Sequence, residues 1–294
     1  MSNGITIKDA VVAVEKIRNS TVISYIAAQN ALVGPEDAGM IVDTIEQVKP
    51  ATGKIDRLDL FLNSPGGFLD SAYKLIRICK EYCSEFNVII PLAAKSAATV
   101  IALGANEIVM NVFSELGPID PIIQHPYKQD VRVPARSIKD FFEFLNTTET
   151  SKIMVDPQFK SQMSSLLDPY LIGSYQTALN SSKQIAEKLL KENALRENPE
   201  KVENAVNTFT EYYYSHSYVI DRNEARDIGL KVVNSESIDG LDKVVRQLFS
   251  VYQQFMTQNN VLKVIGNREA NRSIQAFPNI NQVAPPQKPV NLIF

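Results

Sequence analysis

Apolar residues recur along this chain with two periods, one near 3.6 and one near 2, and the two take turns. Residues 5–17 carry the helical period, and residues 20–28 follow as a strand rich in β-branched side chains. Gly34-Pro35-Glu36-Asp37 opens a second helix reaching about Val48, with Ala38, Ile41, Val42 and Ile45 on one face. After a turn at 50–53, Leu58-Asp59-Leu60-Phe61-Leu62 reads as a buried strand. Residues 68–83 then form a helix with Leu69, Ala72, Leu75, Ile76 and Cys79 inward. Residues 86–92 are a further strand, and 97–103 an apolar helix. Strands alternating with helices predict an α/β fold around a mostly parallel sheet.

Downstream, residues 107–111 read as a strand, and 116–124 as an extended stretch broken by Pro118 and Pro121. Ser137 is placed to cap a helix over 138–146. Residues 156–195 and 199–214 read as helices, Pro199 suiting the first position of the second. A short helix over 221–230, a strand at 231–233 and a last helix at 238–256 follow. One domain over residues 1–262, with its core at about 20–235, accounts for these elements. Composition then shifts to Asn, Gln, Pro and Ser, most clearly from Asn267, and predicts a flexible tail over 263–294.

The composition narrows the class of protein. A net charge of −3 with no long basic run argues against a nucleic-acid partner. Cys79 and Cys83 lie four apart on one predicted helix, wrongly placed for a bridge, and buried thiols suit a reducing, cytoplasmic setting. The first 15 residues lack the basic start and apolar core of a secretory signal. The most apolar window, 88–110, is interrupted by Lys95, Asn106 and Glu107, so it reads as core and not as a membrane span. No motif implies a metal or other cofactor.

Two turns carry the candidate chemistry. Asn63-Ser64-Pro65-Gly66-Gly67 joins a strand to a helix, a place where backbone N–H groups point outward. Lys95-Ser96-Ala97-Ala98 does the same one unit later, and puts a serine hydroxyl where a nucleophile is exposed. On neighbouring parallel strands the two turns share one sheet edge. Ser96 is then a nucleophile, and the Gly66 or Gly67 amide with the Ala97 amide an oxyanion hole. The plainer readings are a helix cap for Ser96 and a tight turn for the glycines.

At these residues the sequence resembles the Clp protease/crotonase-like superfamily, and within it the serine dehydrogenase proteinase family, with signal peptide peptidase A as a relative. The resemblance rests on Asn63–Gly67, on Lys95-Ser96-Ala97-Ala98-Thr99, on 104–110, on Ser114-Glu115-Leu116-Gly117-Pro118-Ile119-Asp120-Pro121 and on the closing run 223–232. Ala98 stands where relatives usually carry glycine. The resemblance implies a serine-type peptidase acting on extended peptides through an acyl-enzyme, and a homo-oligomer.

It leaves the base open. Aligned on Clp proteases, Asp120 falls at the usual histidine position, His125 in the following loop, and His216 in the region that supplies the acid. Asp120 and His216 then form a triad with exchanged roles. In the signal peptide peptidase pattern Lys139 is the base of a Ser–Lys dyad, slightly favoured here, which requires a buried lysine with a lowered pKa. Lys95 should point away from Ser96. The rival readings are a crotonase-type acyl-CoA enzyme and a non-catalytic scaffold on the same fold.

Overall fold

The computed structural model describes residues 5–51, 53–124, 132–145, 157–158 and 169–275. Its centre is a seven-stranded sheet. Five strands, β1 (Thr21–Ala27), β2 (Ile55–Asn63), β3 (Cys83–Ile90), β5 (Glu107–Met110) and β9 (Val232–Asn234), run parallel in that spatial order. Each of the first three steps crosses over through a helix, as parallel pairing demands. The helices are α2 (Asp37–Glu46), α3 (Leu69–Tyr82) and α4 (Ala97–Leu103).

The period of two decides which residues face which layer. Leu58, Leu60 and Leu62 of β2 join Val88 and Ile90 of β3 in the core under α2, α3 and α4. Phe61 and Ile89 point the other way, into a second core with Val11 and Val14 of α1 (Ile7–Arg18) and Val245 and Leu248 of α9 (Leu241–Gln258). Both faces are covered, which is why these strands read as near-continuous apolar runs. Asp59, fully buried on this sheet, is held by Arg18 Nε at 2.9 Å and by the Ser20 hydroxyl at 2.8 Å.

The tail predicted over 263–294 is corrected for residues 263–275. Strands β10 (Val261–Gly266) and β11 (Asn271–Gln275) extend the sheet antiparallel beside β1. The polar composition misleads because β11 is an exposed edge strand, while β10 is buried. Residues 276–294 lie outside the described residues. Lys263 of β10, 2% exposed, is tied to Asp37 at 2.8 Å and to the Leu32 carbonyl at 2.7 Å.

Two helical expectations also change. The helix expected over 156–195 is described as α6 (Pro169–Glu192), and the helix expected over 199–214 breaks into three. A 3₁₀ turn (Pro199–Lys201) leads into α7 (Val202–Asn207), and that into a wider π turn (Thr208–Tyr212). Strand β7 (Ile122–Gln124) pairs with β8 (Arg132–Pro134), and helix α5 (Arg136–Leu145) follows, beginning before Ser137, which therefore sits inside it and not at its cap; helix α8 (Arg222–Ile228) stands where it was expected. No described helix is long and apolar enough to cross a membrane.

Above the carboxyl ends of the parallel strands lies a second, much shorter ladder. Val33 pairs with Gly67, Ser64 with Ala94, β4 (Ala93–Ala94) with β6 (Glu115–Leu116), and Leu116 with Ile220. Every candidate segment near Ser96 hangs from this ladder.

Candidate active site

The glycine turn is fixed before Ser96 is considered. The Asn63 side chain accepts the Ala93 N–H at 3.1 Å, and the Ser64 N–H donates to the Ala93 carbonyl at 2.9 Å. Gly66 has φ +104°, a region costly for any residue with a Cβ. Its carbonyl accepts the Val33 N–H at 2.8 Å, and the Phe68 N–H donates to the Val33 carbonyl at 2.9 Å. The Gly66 N–H donates to Ser64 Oγ at 3.1 Å. This leaves the Gly67 N–H without a partner among the described residues. Of the two glycine amides proposed as oxyanion donors, Gly66 is therefore already engaged and Gly67 is open. One edge of this segment is also taken by Val33. The sequence assigns no role to Asn63 and Ser64; their only signal is their place before the Gly-Gly pair.

Ser96 sits at φ +51°, ψ −121°, immediately before α4. A non-glycine residue held there costs about 1–3 kcal/mol, a strain that is over-determined by its surroundings. Its side chain makes no capping hydrogen bond to the helix, so the plain cap reading does not describe it. The Ala97 N–H is also unpartnered among the described residues. A Cβ on Gly66 would lie 2.8 Å from Ser96 Cβ and 3.0 Å from Ala97 N. Turn and elbow are thus in contact, and only glycine permits it. Ala98 is fully buried, small enough for the helix to pack.

The strand after the elbow brings in a carboxylate. Thr99 Oγ1 accepts the Gly117 N–H at 3.1 Å and lies 2.7 Å from the Ala94 carbonyl. The Ile119 N–H donates to the Phe209 carbonyl, 2.9 Å away in the π turn. Between these anchors and Pro121, Asp120 is 4% exposed, and its Oδ1 lies 2.7 Å from His216 Nδ1. His216, Ser96, Ala97 and Gly67 line one cleft of about 360 Å³. The rest of its wall is mostly apolar, including Phe68, Leu69, Val100 and Ile119.

A family model described as "ClpP-like SDH-type serine proteinase" matches residues 3–275. The chain belongs to this family. As a ClpP-like serine proteinase it is a serine-type hydrolase, and its α/β architecture is that of the Clp proteases. Two uncharacterized proteins of Methanocaldococcus jannaschii are similar to it. One is 26% identical, over 84% of this chain and 78% of its own length; the other is 23% identical, over 83% and 75%. Among solved structures, the membrane-bound stomatin-specific protease 1510-N is 14% identical, with a TM-score of 0.41 over 78% of this chain and 80% of that one. The ClpP protease catalytic domain from Plasmodium falciparum is also 14% identical, with a TM-score of 0.39 over 79% and 94%. The family match carries the assignment.

The environment of Lys139 in this ClpP-like proteinase differs from the one expected. Its side chain is 48% exposed, and its Nζ lies 2.8 Å from Glu211 Oε2. That hydrogen bond pushes its pKa up, against the opposing effect of burial. The expectation of a buried lysine with a lowered pKa is therefore corrected. Lys139 sits on α5, outside the lining of the Ser96 cleft, and Lys183 bonds the same carboxylate. Lys95 does point away from Ser96, toward Leu116 and Tyr218. His125 lies outside the described residues.

Proposed function

We propose that this proteinase cleaves peptide bonds through Ser96, with His216 as base and Asp120 as the group that orients it. Ser96 Oγ attacks the scissile carbonyl carbon and passes its proton to His216 Nε2. The Gly67 and Ala97 N–H groups receive the negative charge that forms on the carbonyl oxygen. Collapse of the tetrahedral intermediate breaks the C–N bond, and His216 returns the proton to the leaving amine. Water then attacks the acyl-enzyme, His216 takes its proton, and the acid product leaves with Ser96 restored.

The observation that carries this reading is the Asp120–His216 pair at 2.7 Å, beside the same cleft as Ser96 and the open Gly67 amide. With Nδ1 bonded to the carboxylate, Nε2 is the ring nitrogen left for the serine. The roles are exchanged relative to the order of residues in Clp proteases. A homo-oligomer in the cytoplasm is part of the same reading, and light scattering measures the first of these.

A mixed peptide library digested with wild type, Ser96→Ala, His216→Ala and Lys139→Ala, and read by mass spectrometry, tests the proposal. Cleavage lost in the first two variants and kept in the third supports it. Cleavage that survives Ser96→Ala, or that requires Lys139 and not His216, overturns it.

A further inference from the structure

We infer that Lys95 is a positioning residue that locks the parts of the catalytic site together. The inference rests on the Ser96–His216–Asp120 reading. Lys95 is the chain neighbour of Ser96, and three separate segments of the site meet on it. Its N–H donates to the Ser64 carbonyl at 3.0 Å, at the root of the glycine turn. Its carbonyl accepts the Ala98 N–H at 2.8 Å, and would lie 2.6 Å from a Cβ on Gly66. Its backbone therefore joins the serine elbow to the oxyanion turn.

Its side chain joins the elbow to the other two segments. An ammonium group has three N–H donors and no acceptor. Here two of them donate to the Leu116 and Tyr218 carbonyls, each at 3.0 Å, and the charge is paired with Glu115 Oε1 at 3.0 Å. Leu116 opens the stretch that ends in Asp120. Tyr218 closes a turn, its N–H donating to the Ser215 carbonyl at 3.0 Å, and His216 lies inside that turn. The stem passes over Gly117, where a Cβ would stand 2.7 Å from Lys95 Cδ, and only 17% of the side chain is exposed.

The arrangement has a direct consequence for His216. Leu116 and Ile220 pair through two backbone bonds, at 2.9 and 3.1 Å, which fix the far side of the loop. On the near side, the Lys95–Tyr218 bond is the link between the histidine turn and the serine elbow. Without the ammonium, the Tyr218 carbonyl and Glu115 lose their partner, the Leu116 carbonyl keeps only the Ile220 N–H, and the histidine turn is free to shift against Ser96. The hydrogen bonds and the ion pair of Lys95 all lead away from Ser96, so its part is geometric and not that of a base.

The test is saturation kinetics with a fluorophosphonate on wild type and Lys95→Met, which keeps the stem. The His216 Nδ1–H proton is followed by NMR in parallel. The chain has two histidines, so a His125→Gln background assigns the signal. A misplacement of about 1 Å costs on the order of 10²-fold in rate. The maximal phosphonylation rate should fall by that order in Lys95→Met, with the half-saturating probe concentration and the melting temperature little changed. The downfield His216 proton should be lost. Lys95→Gln, too short to span both carbonyls, should behave alike and serves if Lys95→Met does not fold. An unchanged maximal rate, or a fall in rate with the His216 signal intact, overturns the inference and leaves Ser96 as nucleophile. A wild type that does not label overturns the nucleophile reading instead; the His216 signal then still decides whether Lys95 holds that residue on Asp120.

Discussion

His216 Nδ1 and Asp120 Oδ1 stand 2.7 Å apart, although 96 positions separate them in the chain. The pair exists because two ends of the short ladder meet: Asp120 leaves from the Leu116 strand, and His216 arrives just before Ile220, which pairs with Leu116. A carboxylate on one ring nitrogen fixes the tautomer and the orientation of the other. Asp120→Asn should keep the fold and lower the turnover of a peptide substrate by about 10⁴-fold, as expected where the wrong tautomer is held. Steady-state kinetics beside a thermal melt would check both halves of this statement.

Lys139→Met should leave peptidase turnover close to that of wild type. Its ammonium is bonded to Glu211, and that bond holds its pKa above the ordinary lysine value, so it is charged at neutral pH and has no lone pair to offer. A collapse of turnover in this variant, with the melting temperature preserved, would restore the dyad scheme.

Glu211 gives a pH signature of its own. Lys139 and Lys183 hold its pKa below the ordinary carboxylate range. A carboxylate depressed in the folded state stabilises the protein above its unfolded pKa, and that contribution is lost as pH falls through the folded value. Glu211→Gln should therefore melt below wild type at pH 7, and the gap should close as the pH drops beneath about 4.5. A gap independent of pH would point to lost packing in place of lost charge.

Gly66→Ala should cost activity by more than its effect on stability. The new Cβ would stand at φ +104° and 2.6 Å from the Lys95 carbonyl oxygen, so the glycine turn must move relative to Ser96. Loss of one oxyanion donor typically costs about 10²–10³-fold in turnover, and displacing the Gly67 amide should do the same. Turnover and urea unfolding, measured on one preparation, would separate the two effects.

Lys263→Met should destabilise the fold by about 3–5 kcal/mol, the usual result of removing one partner of a buried ion pair. Asp37, 1% exposed, would keep the Tyr25 hydroxyl and the Gly34 N–H but lose its cation. The Leu32 carbonyl, next to the Val33 that holds the glycine turn, would lose its donor. The midpoint of urea denaturation reads this directly. A midpoint equal to that of wild type would show that the Lys263–Asp37 pair adds nothing net to stability.

The parts legible in the sequence are those set by local chemistry. The Leu58–Leu62 alternation, the glycines at 66 and 67 and the serine before an apolar helix each follow from steric rules acting over a few residues. The choice between Lys139 and His216 was not legible in this way. It turns on Glu211, which folds onto Lys139 from 72 positions away, and on the π turn that offers the Phe209 carbonyl to Ile119. The strands after residue 260 escaped for a related reason. Lys263 reads as a solvated charge until Asp37, 226 positions earlier, is seen beside it. Lys95 likewise shows its partners only once Leu116 and Tyr218 are in place.

The central claim is that Ser96 is an activated nucleophile. Its most direct test is the intact mass of the protein after exposure to a fluorophosphonate at neutral pH, wild type against Ser96→Ala. One phosphonyl adduct per wild-type chain, mapped to Ser96 by peptide sequencing and absent from the variant, is the predicted result. An unmodified, folded wild type, or an adduct that persists in Ser96→Ala, would contradict it.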